Sequence, residues 1–141
     1  MRDLEADLLR LRDVHGVGLL VSCMEDDERR ALGIDRLLDV AAALGLKVER
    51  LPIRDGCVPP TTWALRVVLR RLRETVQHER VVVHCLGGLG RSGLVVGCLL
   101  VDLGLPADAA LNALARARGP RCPETLEQVA FIRRWAERRL S

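Results

Sequence analysis

The stretch VVVHCLGGLGRSG, residues 81–93, decides the fold. It begins with a β-branched triplet bounded by charged residues, which is typical of a buried parallel strand. Glycine-rich sequence follows over residues 86–90, and residues 92–103 are apolar on nearly every side, which predicts a helix that runs through the core. A strand, a glycine-rich loop and a buried helix in this order predict an α/β arrangement.

The pattern on either side of this stretch alternates between helix and strand. Short apolar runs at residues 17–21 and 47–53 predict two further strands, and residues 25–30 predict a charged loop or the start of a helix. Helical periodicity surrounds the three strands, over residues 3–14, 34–44, 61–78, 92–103, 106–116 and 124–140. The alternation predicts an α/β fold with a mostly parallel sheet.

Composition limits the classes of protein that fit. The chain has 141 residues, which predicts a single domain over 1–141, and 49% of them are hydrophobic, enough for a full core. The three aromatic residues, Trp63, Phe131 and Trp135, argue against a surface that stacks on nucleic acid bases. The longest apolar stretch, residues 94–101, is too short to span a bilayer. We therefore expect no nucleic acid and no membrane as partners.

Charge and cysteine content add two further expectations. The net charge is +3, and arginines cluster at 66–73 and 133–139; we interpret both clusters as solvated helix faces in a field that mildly attracts anions. The five cysteines show neither a CxxC pair nor a metal-ligand spacing, and no signal peptide precedes them. An odd count in this setting predicts a reducing, cytoplasmic environment.

The loop after the third strand has the features of an anion site. Its three glycines allow successive backbone N–H groups to point inward, and the N-terminus of the following helix adds partial positive charge. We expect a phosphate to be held there by the backbone of six residues, Leu86, Gly87, Gly88, Leu89, Gly90 and Arg91.

Three side chains at this loop predict nucleophilic catalysis. Cys85 lies at the base of the predicted cup, where the same field favours a thiolate that can attack a bound phosphorus atom in line. Arg91 can bind two phosphate oxygens at once, and Ser92 can donate a hydrogen bond to the thiolate. Because the loop and Arg91 supply the positive charge, we expect neither a metal nor another cofactor.

A proton donor is needed to expel the leaving oxygen, and Asp55 is the best candidate. It lies in a loop between a predicted strand and helix, with Gly56 providing conformational freedom. Asp26 and Asp27, in the charged segment after the first strand, are the rival acids, and we interpret them as residues at the rim.

These motifs together resemble the protein tyrosine phosphatase superfamily. HCLGGLGRS, residues 84–92, is similar to its signature loop, and PIRDG, residues 52–56, to the segment that carries its general acid. The short length and the segments at 17–25 and 119–128 are most similar to the dual-specificity branch, in particular to the cyclin-dependent-kinase-associated phosphatases and their short prokaryotic relatives. The resemblance implies the cysteine-phosphatase fold, with about four strands and helices on both faces of the sheet.

The resemblance also implies roles around the loop. His84 would hydrogen-bond nearby backbone and support the thiolate, while Gln128 and, less directly, Glu124 would lie near the loop and help to position water. Relatives usually have an extra strand or segment before the first helix, whereas this chain reaches that helix almost at once. Cys57, two residues after Asp55, is a possible redox partner that would form a disulfide with an oxidised Cys85.

We therefore expect a monomeric phosphatase that acts on phosphotyrosine, and on phosphoserine or phosphothreonine, in phosphoprotein or phosphopeptide substrates. Several alternatives remain open at this point. The chain could be a phosphate-binding pseudophosphatase module, or a phosphatase for a non-protein phosphoester such as a lipid or an RNA. Sulfurtransferases and arsenate reductases also use a cysteine and an arginine in this spacing, but the former need no upstream aspartate and the latter place the loop near the N-terminus.

Overall fold

Three strands form a parallel sheet: β1 (Val17–Ser22) lies in the centre, between β2 (Lys47–Arg50) and β3 (Arg80–His84). The computed structural model describes residues 3–140, and the side chains of residues 3–138. The α/β class, the parallel sheet and the helices on both faces are confirmed. The prediction of about four strands is wrong, because the part of the chain described here has three stretches of strand composition, which form the three strands of the sheet.

The segment after β2 stays beside the sheet although it leaves the regular ladder. The N–H of Leu51 donates to the carbonyl of Ser22 at 2.9 Å, and the N–H of Ile53 donates to that of Cys23 at 3.0 Å. These bonds explain why the sequence predicted a strand as far as residue 53. They also carry the loop with Asp55 to the carboxyl end of β1.

Seven helices lie within the described residues, and the predicted helices all appear among them. The charged segment at 25–30 is a short helix, and most other ends differ from the prediction by a few residues. The bounds are α1 (Leu4–Asp13), α2 (Asp26–Ala31), α3 (Leu37–Ala43), α4 (Thr62–Thr75), α5 (Arg91–Asp102), α6 (Ala107–Arg118) and α7 (Leu126–Leu140). None of the helices between residues 3 and 140 is long and apolar enough to cross a lipid bilayer.

Side-chain caps fix where two of these helices begin. Asp3 accepts a hydrogen bond from the N–H of Ala6, and Thr61 accepts one from the N–H of Ala64, both at 3.1 Å. Each bond satisfies one of the free N–H groups in the first helical turn. α5 has no such side-chain cap: its N-cap residue is Gly90, so its first turn faces the glycine-rich loop.

Apolar side chains of β1 point alternately to two cores, one on each face of the sheet. Leu19 and Val21 pack with α4, α5, α6 and α7, whereas Val17 and Leu20 pack with α1 and α3. Gly97 allows α5 and α7 to approach closely, since a Cβ there would lie 2.5 Å from Ile132 Cδ1. Burial on both faces holds the carboxyl ends of β1 and β3 side by side, which is where ligands bind in open parallel sheets.

Candidate active site

The glycine-rich loop connects the end of β3 to the start of α5, as the sequence predicted. Gly87 and Gly88 have positive φ angles, 79° and 70°, which other residues rarely adopt. Within the described part of the chain, the backbone N–H groups of residues 86–90 have no hydrogen-bond acceptor. A loop with several unsatisfied donors at a helix N-terminus has the properties of an anion-binding site.

Cys85 lies at the start of this loop and is partly buried. Its sulfur is 3.4 Å from the hydroxyl oxygen of Ser92, and the N–H of Ser92 donates to the same sulfur, also at 3.4 Å. Ser92 is 5% exposed, so this arrangement is shielded from water. The predicted pair is therefore in contact, with two donors available to a sulfur anion.

Arg91 is 1% exposed, and its guanidinium is fixed from one side. Nη1 and Nη2 donate to the two carboxylate oxygens of Glu28 at 2.6 and 2.9 Å, and Nη1 also donates to the carbonyl of Ile53 at 2.9 Å. Nε is buried and has no partner among the described residues. Because Glu28 holds only the terminal nitrogens, Nε remains available for an anion.

Asp55 lies on the exposed side of the same arginine. Its Oδ1 is 3.7 Å from Arg91 Nη2, and its side chain is 65% exposed. The turn that carries it is closed by a bond from the N–H of Cys57 to the carbonyl of Arg54 at 2.9 Å, and Gly56 takes a positive φ of 77°. The structure therefore brings the carboxylate of Asp55 close to the guanidinium of Arg91.

The rival acids, Asp26 and Asp27, are both engaged in ion pairs on α2. Asp26 contacts Arg50 and Arg29, and Asp27 contacts Arg30 at 3.0 Å. The hydrogen bond from Arg50 holds the pKa of Asp26 below its ordinary value. Both rival carboxylates are thus engaged by arginines of α2 and β2, so Asp55 stays the preferred candidate.

Gln128 and Glu124 lie beside the loop, but the amide of Gln128 is already engaged. A Cβ at Gly90 would be 3.1 Å from the amide atoms of Gln128 and from Glu124 Oε2. The Gln128 amide nitrogen donates to the carbonyl of Cys57 at 3.0 Å, and its amide oxygen accepts from the N–H of Thr125 at 3.1 Å. Gln128 is fully buried and therefore ties α7 to the segment that carries Asp55.

The sequence analysis expected the side chain of His84 to hydrogen-bond nearby backbone, but its Nε2 makes no such bond among the described residues. Nε2 of its ring is buried without a partner among the described residues, and it is the backbone carbonyl that bonds, accepting from the N–H of Cys23 at 2.9 Å. The ring lies beside an apolar cavity against α1, lined by Leu4, Leu8 and Leu11 among others. Burial lowers the pKa of His84, and the charges of Arg29 and Arg91 act in the same direction.

Cys23 and Cys122 lie near Cys85, and Cys57 is the thiol that the sequence analysis offered as its redox partner. Cys57 is partly exposed, and its pairing with Cys85 stays a prediction. Cys23 follows the β1 residue that pairs with His84, so it neighbours Cys85 across the sheet; burial raises its pKa to about 12. Cys122 is buried and its thiol donates to the carbonyl of Leu89 at 3.3 Å, on the back of the loop.

Sequence reasoning missed Glu28, the principal partner of Arg91. The residue belongs to a run of charged side chains, and nothing in that run distinguishes it from its neighbours. The one available signal was its place three residues after Glu25, where the two side chains form a capping box. That signal predicts a helix start but says nothing about Arg91. The hydrogen bond from Arg91 keeps the pKa of Glu28 low.

Arg118 also approaches the loop. A Cβ at Gly88 would collide with its guanidinium, so the arginine lies directly against the loop backbone. Among the described residues no three His, Cys, Asp or Glu side chains are grouped so that they could hold a metal ion.

Comparison with known proteins identifies a family whose model matches most of the chain. The family described as "Polymorphic toxin system, DSP-PTPase phosphatase" matches residues 3–105. Human cyclin-dependent kinase inhibitor 3 is 25% identical over 139 residues, which cover 97% of this chain and 65% of that protein. The chain thus spans just under two thirds of the length of this curated relative.

Two solved structures share the fold over almost the whole chain. Kinase-associated phosphatase, crystallised with a serine in place of its catalytic-site cysteine, superposes with a TM-score of 0.89; the identity is 24%, and 99% of this chain and 79% of that chain are covered. Tk-PTP in its active form gives a TM-score of 0.78 at 33% identity, with 93% and 86% covered.

Proposed function

Since the chain belongs to the polymorphic-toxin DSP-PTPase phosphatase family, we propose that it is a cysteine-dependent phosphatase which hydrolyses phosphomonoesters through a cysteinyl-phosphate intermediate. The observation that carries the proposal is the burial and hydrogen bonding of the Arg91 guanidinium. Its side chain is almost completely buried, its terminal nitrogens are held by Glu28, and its Nε has no partner among the described residues. A guanidinium in that state beside unsatisfied loop amides favours a bound dianion.

In the first step, the Cys85 thiolate attacks phosphorus and a sulfur–phosphorus bond forms. The bond from phosphorus to the ester oxygen breaks at the same time, and Asp55 gives that oxygen its proton. Arg91 and the N–H groups of residues 86–90 stabilise the charge on the three remaining phosphoryl oxygens. The proximity of Asp55 to Arg91, at 3.7 Å, supports the role of Asp55 beside the same phosphoryl group.

In the second step, water attacks the cysteinyl phosphate. Asp55, now ionised, takes a proton from the water, an oxygen–phosphorus bond forms and the sulfur leaves as a thiolate. The hydroxyl and N–H of Ser92, both 3.4 Å from the sulfur, support that thiolate as a leaving group. Inorganic phosphate is released and the enzyme returns to its starting state.

We propose phosphoproteins as substrates, with phosphoserine and phosphothreonine accepted beside phosphotyrosine. The exposure of two residues at the entrance of the proposed active site supports this broad range of substrates: Asp55 is 65% exposed and Leu86 is 51% exposed. A shallow site lets the short side chains of phosphoserine and phosphothreonine reach the sulfur. A deep site would favour the longer phosphotyrosine.

Turnover of a simple aryl phosphate tests the proposed function. We expect Cys85→Ser to abolish turnover and Asp55→Asn to slow it by roughly 10²–10³. Cys57→Ser and Asp27→Asn are matched controls, since each changes the same residue type nearby, and both should retain turnover. Full activity of Cys85→Ser would contradict the nucleophile, and full activity of Asp55→Asn would contradict the proton donor.

The same assay separates an enzyme from a module that only binds phosphate. A pseudophosphatase would bind vanadate or phosphate at the loop but would not hydrolyse an aryl phosphate under any condition. Turnover of the aryl phosphate by the wild-type protein, inhibited competitively by vanadate, is the result that the proposed function predicts.

A further inference from the structure

The two arginine clusters that the sequence analysis assigned to solvated helix faces meet in one cleft between α4, α7 and the end of α5. The cleft has a volume of about 540 Å³. It is lined by Arg66, Arg70, Arg73, Asp102, Trp135 and Arg138. We call it the arginine cleft. It is separate from the phosphate loop, and none of its lining residues belongs to the proposed catalytic machinery.

Three of the arginines form one stripe on α4. Arg66, Arg70 and Arg73 are spaced by four and three residues, so their side chains lie on the same face of the helix. At 1.5 Å per residue the stripe is about 10 Å long. An extended peptide covers that distance with roughly three residues. Arg138 of α7 lines the opposite side of the cleft.

The positive charge of the α4 stripe is only partly compensated by carboxylates of the described residues. Asp102 is the lining carboxylate; its side chain is 9% exposed, and its oxygens accept from Arg73 at 2.6 Å and from the indole Nε1 of Trp135 at 2.9 Å. The exposed pair of Arg70 with Glu74, at 3.7 Å, contributes little. The three guanidinium groups of the α4 stripe therefore line a cleft in which Asp102, the carboxylate among its described lining residues, is already bonded on both oxygens.

We propose that the arginine cleft binds an acidic segment of the polypeptide substrate. Arginine recognises carboxylates with two parallel hydrogen bonds, and the α4 stripe matches the length of a short extended peptide. Nucleic acid is disfavoured because Trp135, the one aromatic side chain among the described residues that line the cleft, is 7% exposed and is covered by Arg66, whose Cζ lies 5.9 Å from the ring centroid. No ring face is left on which a base could stack.

The position of the cleft defines where that acidic segment must lie. The contact between Arg73 and Asp102 joins the last turns of α4 and α5, whereas the phosphate loop is at the first turn of α5. A helix of 12 residues is about 17 Å long, which an extended chain covers with about five residues. The segment would thus lie five or more residues from the phosphorylated side chain. This distance, and the identification of the bound polypeptide as the substrate, rest on the proposed function; the binding of an acidic peptide does not.

A binding measurement tests the cleft without catalysis. The probe is a fluorescent, unphosphorylated, glutamate-rich peptide of about ten residues, followed by anisotropy at low salt. We expect Arg66→Gln combined with Arg70→Gln to weaken its binding about three- to tenfold, as the loss of two exposed ion pairs would. The control combines Arg30→Gln with Arg116→Gln, which removes the same charge outside the cleft and should bind like wild type.

Kinetics then connect the cleft to the substrate. For a phosphopeptide with an acidic segment five or more residues from the phosphate, the cleft variant should lose about three- to tenfold in kcat/KM, while its turnover of an aryl phosphate stays at the wild-type value. Equal binding and equal kcat/KM in wild type, cleft variant and control would overturn the proposal. Tighter binding of a single-stranded oligonucleotide, lost in the same variant, would overturn it as well.

The two proposals fail in distinguishable ways. If wild-type protein binds the acidic peptide through the cleft but hydrolyses no aryl phosphate, the cleft stands and the phosphatase proposal falls. If it hydrolyses aryl phosphate but shows no preference for acidic peptides, the phosphatase proposal stands and the cleft falls.

Discussion

Arg91 and Glu28, separated by 63 positions in the chain, are joined by two hydrogen bonds of 2.6 and 2.9 Å. The pair connects α2, which follows the central strand β1, with α5, which follows β3. It fixes the plane of a buried guanidinium while its Nε has no partner among the described residues. The orientation of Arg91 therefore depends on a residue that does not itself reach the phosphate loop.

The first prediction concerns this pair. Glu28→Gln removes the negative charge and one acceptor while keeping the side-chain length, so Arg91 loses its orientation. We expect kcat/KM for an aryl phosphate to fall about tenfold or more, and the free energy of unfolding to fall by about 1.5–3 kcal/mol, since the bonds are to charged groups. Steady-state kinetics and urea denaturation measure the two effects.

Asp27→Asn is the matched control for Glu28→Gln. It removes a carboxylate from the same helix, but one that is 91% exposed and pairs only with Arg30. Wild-type kinetics and stability are expected for it. If both variants behave alike, the orientation of Arg91 does not depend on Glu28.

The second prediction concerns the link from α7 to the segment of Asp55. Gln128→Ala leaves the buried carbonyl of Cys57 without its donor, which costs about 1–3 kcal/mol if the segment stays in place. The alternative is that the segment moves. Trypsin should then cleave faster after Arg54, and kcat should fall because Asp55 is less often in position. The control is Glu127→Ala, at the exposed neighbouring position, which should change neither the rate of cleavage after Arg54 nor kcat. An unchanged rate of cleavage in Gln128→Ala would refute the link between α7 and the segment of Asp55.

The sequence was sufficient for the strand, loop and helix around Cys85, because each of these is encoded locally. The β-branched triplet at 81–83, the glycines at 87 and 88 and the apolar helix from 92 each follow from short-range chemistry. The number of strands did not follow, because the expectation of a fourth strand came from resemblance and not from any stretch of this chain. Composition shows three strand segments, and the structure has three within residues 3–140.

Contacts between distant segments could not be predicted in the same way. Glu28 is one of several acids in a charged run, and only the register of β1 against β3 brings its helix to Arg91. The same limit applies to the arginine clusters at 66–73 and 133–139. Each alone is indistinguishable from a solvated helix face, and they become one cleft only because α4 and α7 both pack around α5.

The third prediction is a pH dependence of stability that comes from His84. Burial lowers the pKa of His84 in the folded protein, so below about pH 6.5 the unfolded chain takes up a proton that the folded chain does not. The free energy of unfolding should therefore fall as the pH is lowered from 7 through 6.5 towards the folded pKa. The acids with lowered pKa, Asp13, Asp26 and Glu28, act only at lower pH, near their own unfolded values.

Urea denaturation at several pH values between about 7.5 and 5.5 measures this slope. His84→Gln should flatten it, whereas His78→Gln, at an exposed position, should leave it as in wild type. An identical slope in all three proteins would show that His84 is not the group that titrates.

The most direct test of the central claim is to trap the intermediate. Wild-type protein is mixed with an aryl phosphate, quenched in acid during turnover and digested for mass spectrometry. We predict a phosphoryl group on the peptide that contains Cys85, and none in Cys85→Ser, which should also show no turnover. Steady turnover without phosphate on Cys85, or undiminished turnover in Cys85→Ser, would contradict the account.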